Sequence, residues 1–213
     1  MGAEGGLIKK NIMKKRIILA LAALFITTTA ALGQTAQQVL DKCAKTVSAS
    51  AGVTASFTMN SAKYGDAQGT IALKGEKFHM KSDASTMWFD GKTLWTYMAN
   101  NEEVNISRPT KQQLQTLNPY TFINLYKKGY SQTMTSSATE HIVHLTATDP
   151  QHRIREAFIT VDKASYAPKT IKMLVEQKWT TFTVSGLKQE KLADSRFKFD
   201  ADAYPDAEII DLR

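Results

Sequence analysis

The stretch Trp88-Phe89-Asp90-Gly91-Lys92-Thr93-Leu94-Trp95-Thr96-Tyr97 decides the fold class, because it sets an Asp-Gly pair between two runs of large apolar and aromatic side chains. An Asp-Gly pair flanked by strand-like runs is a strong hairpin signal. On an extended strand Trp95 and Tyr97 point to one side, and Leu94 and Met98 point to the other. One face of the expected sheet is therefore aromatic.

Reading outward, the same period of two continues in both directions. Val53, Ala55, Phe57 and Met59 alternate with Thr54, Ser56, Thr58 and Asn60, and Gly69, Ile71 and Leu73 share one face of the next run. Phe78 and Met80 follow, and Val104 and Ile106 come after the aromatic hairpin. Further strands are expected at Tyr130 to Ser136, Glu140 to Thr148, Arg153 to Val161, Lys169 to Gln177 and Trp179 to Leu187. Roughly ten strands with short turns make a long antiparallel meander, and a sheet of that width must curl.

Two segments break the alternation. From Thr35 to Ala49, Val39, Cys43 and Val47 recur every four residues with Leu40 beside them, the apolar stripe of an amphipathic helix. After Arg108-Pro109, where proline ends the strand pattern, Leu114, Leu117, Tyr120, Ile123, Tyr126 and Lys127 fit one or two short helices stopping at Gly129. These helices are the only candidates to cover the concave face. The expected fold is mainly β with α: an unclosed antiparallel β-barrel, or curved sheet, covered by a helical lid. Its interior is either a filled core or a pocket for an apolar ligand.

The N-terminal residues set the compartment. Lys14-Lys15-Arg16 precede the ten apolar residues Ile17 to Ile26, with small residues up to Gly33, which is the pattern of a signal peptide. Ten apolar residues are too few for a membrane-spanning helix. The expected division is a leader over 1–33, cleaved before Gln34, and a single domain over 34–213. The leader also accounts for most of the basic charge. Of 27 Lys+Arg against 20 Asp+Glu, it holds five bases and one acid, leaving a net charge of +3. A nucleic-acid partner is therefore not expected. The single cysteine, Cys43, lies inside a helical pattern and forms neither an intramolecular disulfide nor a lipid attachment site at a mature N-terminus.

No catalytic pattern stands out. His141 and His144 are three apart on an expected strand and so face opposite ways, which argues against a shared metal. Asp90 precedes glycine in a turn, where aspartate serves its own backbone. The chain is expected to be no enzyme and to need no metal or cofactor.

The order of these elements resembles the periplasmic outer-membrane lipoprotein carrier proteins, the LolA family. The resemblance rests on the leading helix ending near Val47 and on Ala55-Ser56-Phe57-Thr58, Gln68-Gly69-Thr70-Ile71 and Lys77-Phe78-His79-Met80. It extends through Asp90-Gly91-Lys92-Thr93-Leu94-Trp95, its most specific piece, to Asn118-Pro119-Tyr120 and Phe197-Lys198-Phe199. It implies a periplasmic monomer whose cavity shelters the acyl chains of lipoproteins. Such a carrier takes its cargo from an inner-membrane lipoprotein-releasing ABC transporter and passes it to an outer-membrane lipoprotein receptor. A lipid-binding or lipoprotein-sensing relative of the same fold is the alternative.

By the resemblance, Phe78 and Met80 are cavity positions and Tyr120 and Ile123 lie on the lid. The apolar stripes add Val39 and Leu40 from the helix, Phe57, Met59, Ile71 and Leu73 from the strands, and Trp95 and Tyr97 from the hairpin as expected lipid contacts. An Arg-Pro pair that often precedes the Phe78 position, and that fastens the lid, is replaced here by Lys74-Gly75-Glu76-Lys77. Lys74 or Lys77 is then the candidate donor, though a lysine lacks the arginine fork.

Overall fold

Thr35 starts the first helix of the described residues. Its hydroxyl accepts from the Gln38 backbone N–H at 3.2 Å while Gln38 Oε1 accepts from the Thr35 N–H at 3.0 Å, a reciprocal capping box. The resulting helix α1, Ala36–Val47, buries Val39, Leu40, Cys43 and Val47, the stripe its spacing predicts. The computed structural model describes residues 33–48, 50–111, 113–114 and 125–213. The expected leader, apart from Gly33, lies outside them, as do Tyr120, Ile123 and the Asn118-Pro119 helix start. Residues from Thr35 onward form one compact unit.

Among the described residues, twelve strands follow α1: β1 Val53–Ser61, β2 Ala67–Lys74, β3 Lys77–Ser82, β4 Ser85–Phe89, β5 Leu94–Met98, β6 Glu103–Ser107, β7 Tyr130–Ser136, β8 Glu140–Ala147, β9 Ile154–Asp162, β10 Pro168–Val175, β11 Lys178–Gln189 and β12 Glu208–Asp211. They make one sheet in the order β12-β6-β5-β4-β3-β2-β1-β11-β10-β9-β8-β7. Every neighbouring pair is antiparallel except β12 with β6. β12 and β7 are the two free edges, so the curved sheet does not close into a barrel.

The sheet is two meanders, β1–β6 and β7–β11, sewn together where β1 pairs with β11, for instance Phe57 opposite Val184 and Met59 opposite Phe182. β6 and β7 consequently lie near opposite edges, and the chain between them connects one side of the sheet to the other. A single apolar cluster draws Phe57, Leu73 and Phe78 from the first meander together with Val143, Ile159 and Ile171 from the second, and includes α1. Both halves therefore curl around one interior.

Two boundaries differ from the expected strands. Glu176 and Gln177 do not continue β10; they are a two-residue hairpin turn with φ of 49° and 65°. Mirror-image turns of this kind match the strand twist but ask for glycine or asparagine. Glu176 is held there by ion pairs to Arg153 at 3.0 Å and to Lys63. The four-residue β12 pairs parallel to a strand some hundred positions earlier, and nothing local marks it.

Candidate functional site

The hairpin residues place the site. Asp90 Oδ1 accepts from the backbone N–H of Lys92 at 2.9 Å and of Thr93 at 2.8 Å, and Gly91 takes φ 101°, so the turn sets Phe89 opposite Leu94 and Trp88 opposite Trp95. Residues directly opposite one another share a face. Following register strand by strand divides the inner face of the first meander into rows. The first row, Val53, Leu73, Phe78, Phe89 and Leu94, is wholly buried, with the Phe78 and Phe89 rings 5.4 Å apart. The second row, Ala55, Ile71, Met80, Met87 and Thr96, is buried at Ile71 but only half-buried at the methionines. The third, Phe57, Gly69 and Ser82, ends in a hydroxyl.

The interior thus grades from a dry aromatic floor through a flexible thioether row to a polar rim. Methionine adapts to irregular apolar surfaces because its unbranched side chain has three rotatable bonds. Gly69 marks a close approach of two strands: a Cβ there would sit 1.9 Å from the Lys81 carbonyl oxygen and 3.1 Å from the Phe57 ring. Only glycine allows β3 to come this close beside Phe57.

Helix α1 covers part of this face. Val39, Leu40 and Cys43 join the same apolar cluster, and burial pushes the Cys43 thiol up to about 12, leaving it uncharged and unreactive. At the far end of the β6–β7 connection, the Tyr126 hydroxyl donates to the Asp41 carboxylate on α1. Burial, then the bond to Asp41, raises the Tyr126 pKa well above the ordinary phenol value. Gln132 Nε2 from β7 donates to the Tyr126 carbonyl at 2.9 Å. The first bond ties Tyr126 to α1 and the second ties it to β7.

Eight of the expected contacts come together: Val39, Leu40, Phe57, Ile71, Leu73 and Phe78 belong to one buried cluster, and Met59 and Met80 pack against it half-exposed. Tyr120 and Ile123 lie outside the described residues. Trp95 and Tyr97 require a correction. They lie on the opposite, outer face, in register with Trp88 and Thr86. The chain's own C-terminal segment covers that face: Tyr204 packs 4.7 Å from Tyr97 and 5.5 Å from Trp88, and Phe199 lies 5.5 Å from Trp88. Deeper in the same layer Leu192 and Phe197 close on Ala72.

Lys74 and Lys77 also differ from expectation. Lys74 Nζ donates to the Leu192 carbonyl at 2.8 Å and to Asp194 at 2.9 Å, and Lys77 pairs with Asp194 at 3.0 Å. Both lysines fasten the C-terminal segment to the outer face. Met87, Phe89 and Leu94 are inner-face residues that the expected set omits. Their signal was the register of the Asp90-Gly91 hairpin counted from Phe78, outweighed by the aromatic bulk of Trp95 and Tyr97.

The two histidines of the His-x-x-His spacing do face opposite ways. His141 is buried on the inner face with Nδ1 2.7 Å from the Ser136 hydroxyl, whereas His144 stacks on Phe158 at 4.1 Å on the outer face.

An open, curved antiparallel sheet with α1 across its apolar interior defines a LolA-like class of fold. A model of the family described as outer membrane lipoprotein carrier protein LolA matches residues 26–177, well over half the chain. The chain belongs to that family. Among solved structures, an uncharacterized conserved protein from Thermus thermophilus superposes with a TM-score of 0.57 at 12% identity, covering 84% of this chain and 99% of that one. A LolA superfamily protein from Nitrosomonas europaea gives a TM-score of 0.42 at 13% identity, covering 79% and 99%. A DUF1329 family protein from Desulfovibrio piger gives 0.45 at 9% identity, covering 80% and 99%. At such identities the likeness concerns the fold alone. No curated protein matches the sequence.

Proposed function

We propose that this protein is a periplasmic carrier that shelters the acyl chains of lipoproteins against its inner face and moves them from the inner to the outer membrane. On this reading an inner-membrane lipoprotein-releasing ABC transporter loads it and an outer-membrane lipoprotein receptor unloads it. It acts as a binding protein and performs no covalent chemistry. One observation carries the reading: the half-buried methionines Met59, Met80 and Met87 border a floor that is already buried. Exposed methylenes cost about 0.8 kcal/mol each, so a multiply acylated protein costs tens of kcal/mol to release bare into water. A surface that releases its cargo must bind loosely and adapt, which suits thioethers better than interlocked rings.

The test is to isolate the protein from its native periplasm and identify what accompanies it by mass spectrometry. Acylated lipoprotein supports the carrier reading. Free lipid alone supports the lipid-binding alternative, and neither one, together with no binding of a fluorescent fatty-acid probe, rejects both.

A further inference from the structure

The half-buried methionines give the inner face a chemistry that its phenylalanines lack. Met80 on β3 lies directly opposite Met87 on β4, between Ile71 and Thr96 in the second inner row, and both are partly open to solvent. Side chains so placed have Cβ atoms about 4.5–5.5 Å apart, so the two thioethers share one patch of surface. Two residues along the same strands, Phe78 and Phe89 form the dry floor that this patch borders.

We infer that the Met80–Met87 pair is a reversible oxidation site whose conversion to sulfoxide switches off acyl-chain binding, an assignment that rests on the carrier reading given above. The oxidant is a hydroperoxide, hydrogen peroxide in the simplest case. A lone pair on the methionine sulfur attacks one peroxide oxygen, the O–O bond breaks, and the proton of the attacked oxygen passes to the leaving hydroxide, which departs as water. Sulfur is thereby oxidised by two electrons and the peroxide reduced by two. Methionine sulfoxide reductases, one for each sulfoxide epimer, reverse the change.

A sulfoxide is polar and accepts hydrogen bonds, so an acyl chain laid over it would strip its water without replacing it. Because Met80 and Met87 share a patch, one sulfoxide on either strand spoils the surface for both. Each sulfur can still turn its oxygen to solvent, and the floor beneath, Val53, Leu73, Phe78, Phe89 and Leu94, is hydrocarbon that peroxide leaves alone, so the sheet keeps its core. Two other sulfurs of the interior are withheld. Met173 on β10 is 4% exposed between the buried Ala157 and Thr180, and Cys43 on α1 is fully buried. Susceptibility follows exposure, so oxidation is directed to the row where cargo would lie.

The experiment exposes the full chain to graded hydrogen peroxide, maps sulfoxides by peptide mass spectrometry, and measures melting temperature and the Kd for a fluorescent fatty-acid probe at each dose. Sulfoxide should form at Met80 and Met87 at least about tenfold faster than at Met173. The probe Kd should rise at least about tenfold while the protein stays folded, and treatment with both reductases should restore it. The variant Met80→Leu/Met87→Leu, compared with its own untreated form, should lose no more than about threefold in affinity at the same dose. Unchanged probe binding with both sulfoxides present overturns the proposal. So does an equal loss in the double variant, or unfolding in place of lost binding. An untreated parent that binds no probe overturns the carrier reading itself, and the switch falls with it.

Discussion

Phe78 and Met80 lie two residues apart on one strand face, yet they carry different roles. Phe78 is 1% exposed against Phe89, while Met80 is half-buried beside Met87. A charge at Phe78 would be buried without a partner, so Phe78→Glu should cost several kcal/mol and abolish folding. Met80→Glu keeps its carboxylate near water. That variant should fold with at most about 1–2 kcal/mol lost, while its affinity for a fatty-acid probe falls by about tenfold or more. Thermal unfolding and probe binding of both variants decide this; a Met80→Glu protein that binds normally would remove the methionine row from the site.

On the outer face, His79 stacks on Trp88 at 5.6 Å. Burial, helped by the charges of Arg196 and Lys81, brings its pKa from 6.5 down to about 4. The folded state therefore resists a proton that the unfolded chain accepts. Stability present above pH 6.5 is lost as pH falls toward 4, by about 2–3 kcal/mol in all. Asp162 and Asp194, both held near 2 by their hydrogen bonds and lysine partners, add losses only below their ordinary value of 3.8. His79→Phe, which keeps a flat ring on Trp88, should make the melting-temperature profile shallower between pH 6.5 and 4, leaving the share of the buried His141, whose pKa burial also lowers, and should leave the more acidic limb unchanged.

At the scale of elements, two side-chain attachments among the described residues are open to test. One is Tyr126 to Asp41 on α1; the other is the clamp of Lys74 and Lys77 on Asp194, which serves the C-terminal segment. Tyr126→Phe removes the donor and leaves a part-buried carboxylate short of a partner, a loss of about 1–3 kcal/mol. Amide exchange across 125–127 should then accelerate about tenfold or more while β8 to β10 remain protected. Unchanged exchange would mean that the segment is held by something else.

The C-terminal segment is equally open to test. Phe197 is fully buried against Ala72 and Leu192. Phe197→Ala should cost about 3–5 kcal/mol in denaturant unfolding, the range for emptying an aromatic core site. A segment that merely rests on the sheet would show a loss below about 1 kcal/mol.

For the whole molecule, the seam between β1 and β11 is the long-range pairing that joins the two meanders. It joins positions more than a hundred residues apart, whereas the hairpins within each meander are local. Loop closure at that distance costs entropy before any contact repays it. The β4–β5 hairpin should therefore gain exchange protection in pulse-labelling before Phe57 and Met59, and simultaneous protection would show that the seam forms in the nucleus.

Much of this fold was legible in the chain because its causes are local. The stripe Val39-Leu40-Cys43-Val47, the alternation of Val53 to Met59 and the Asp90-Gly91 turn each act over a few residues, so spacing alone revealed α1, most strands and the shared face of Phe57, Ile71, Leu73 and Phe78. Alternation says which residues share a face. It does not say which face is covered, and by what. Trp95 and Tyr97 are as apolar as any inner residue, and only the return of Phe199 and Tyr204 across the outer face makes that side a second buried layer. The β1–β11 seam, the parallel β12 and the capture of Lys74 and Lys77 by Asp194 depend likewise on partners distant in sequence, whose pairing is chosen by packing in three dimensions and leaves no local periodicity to read.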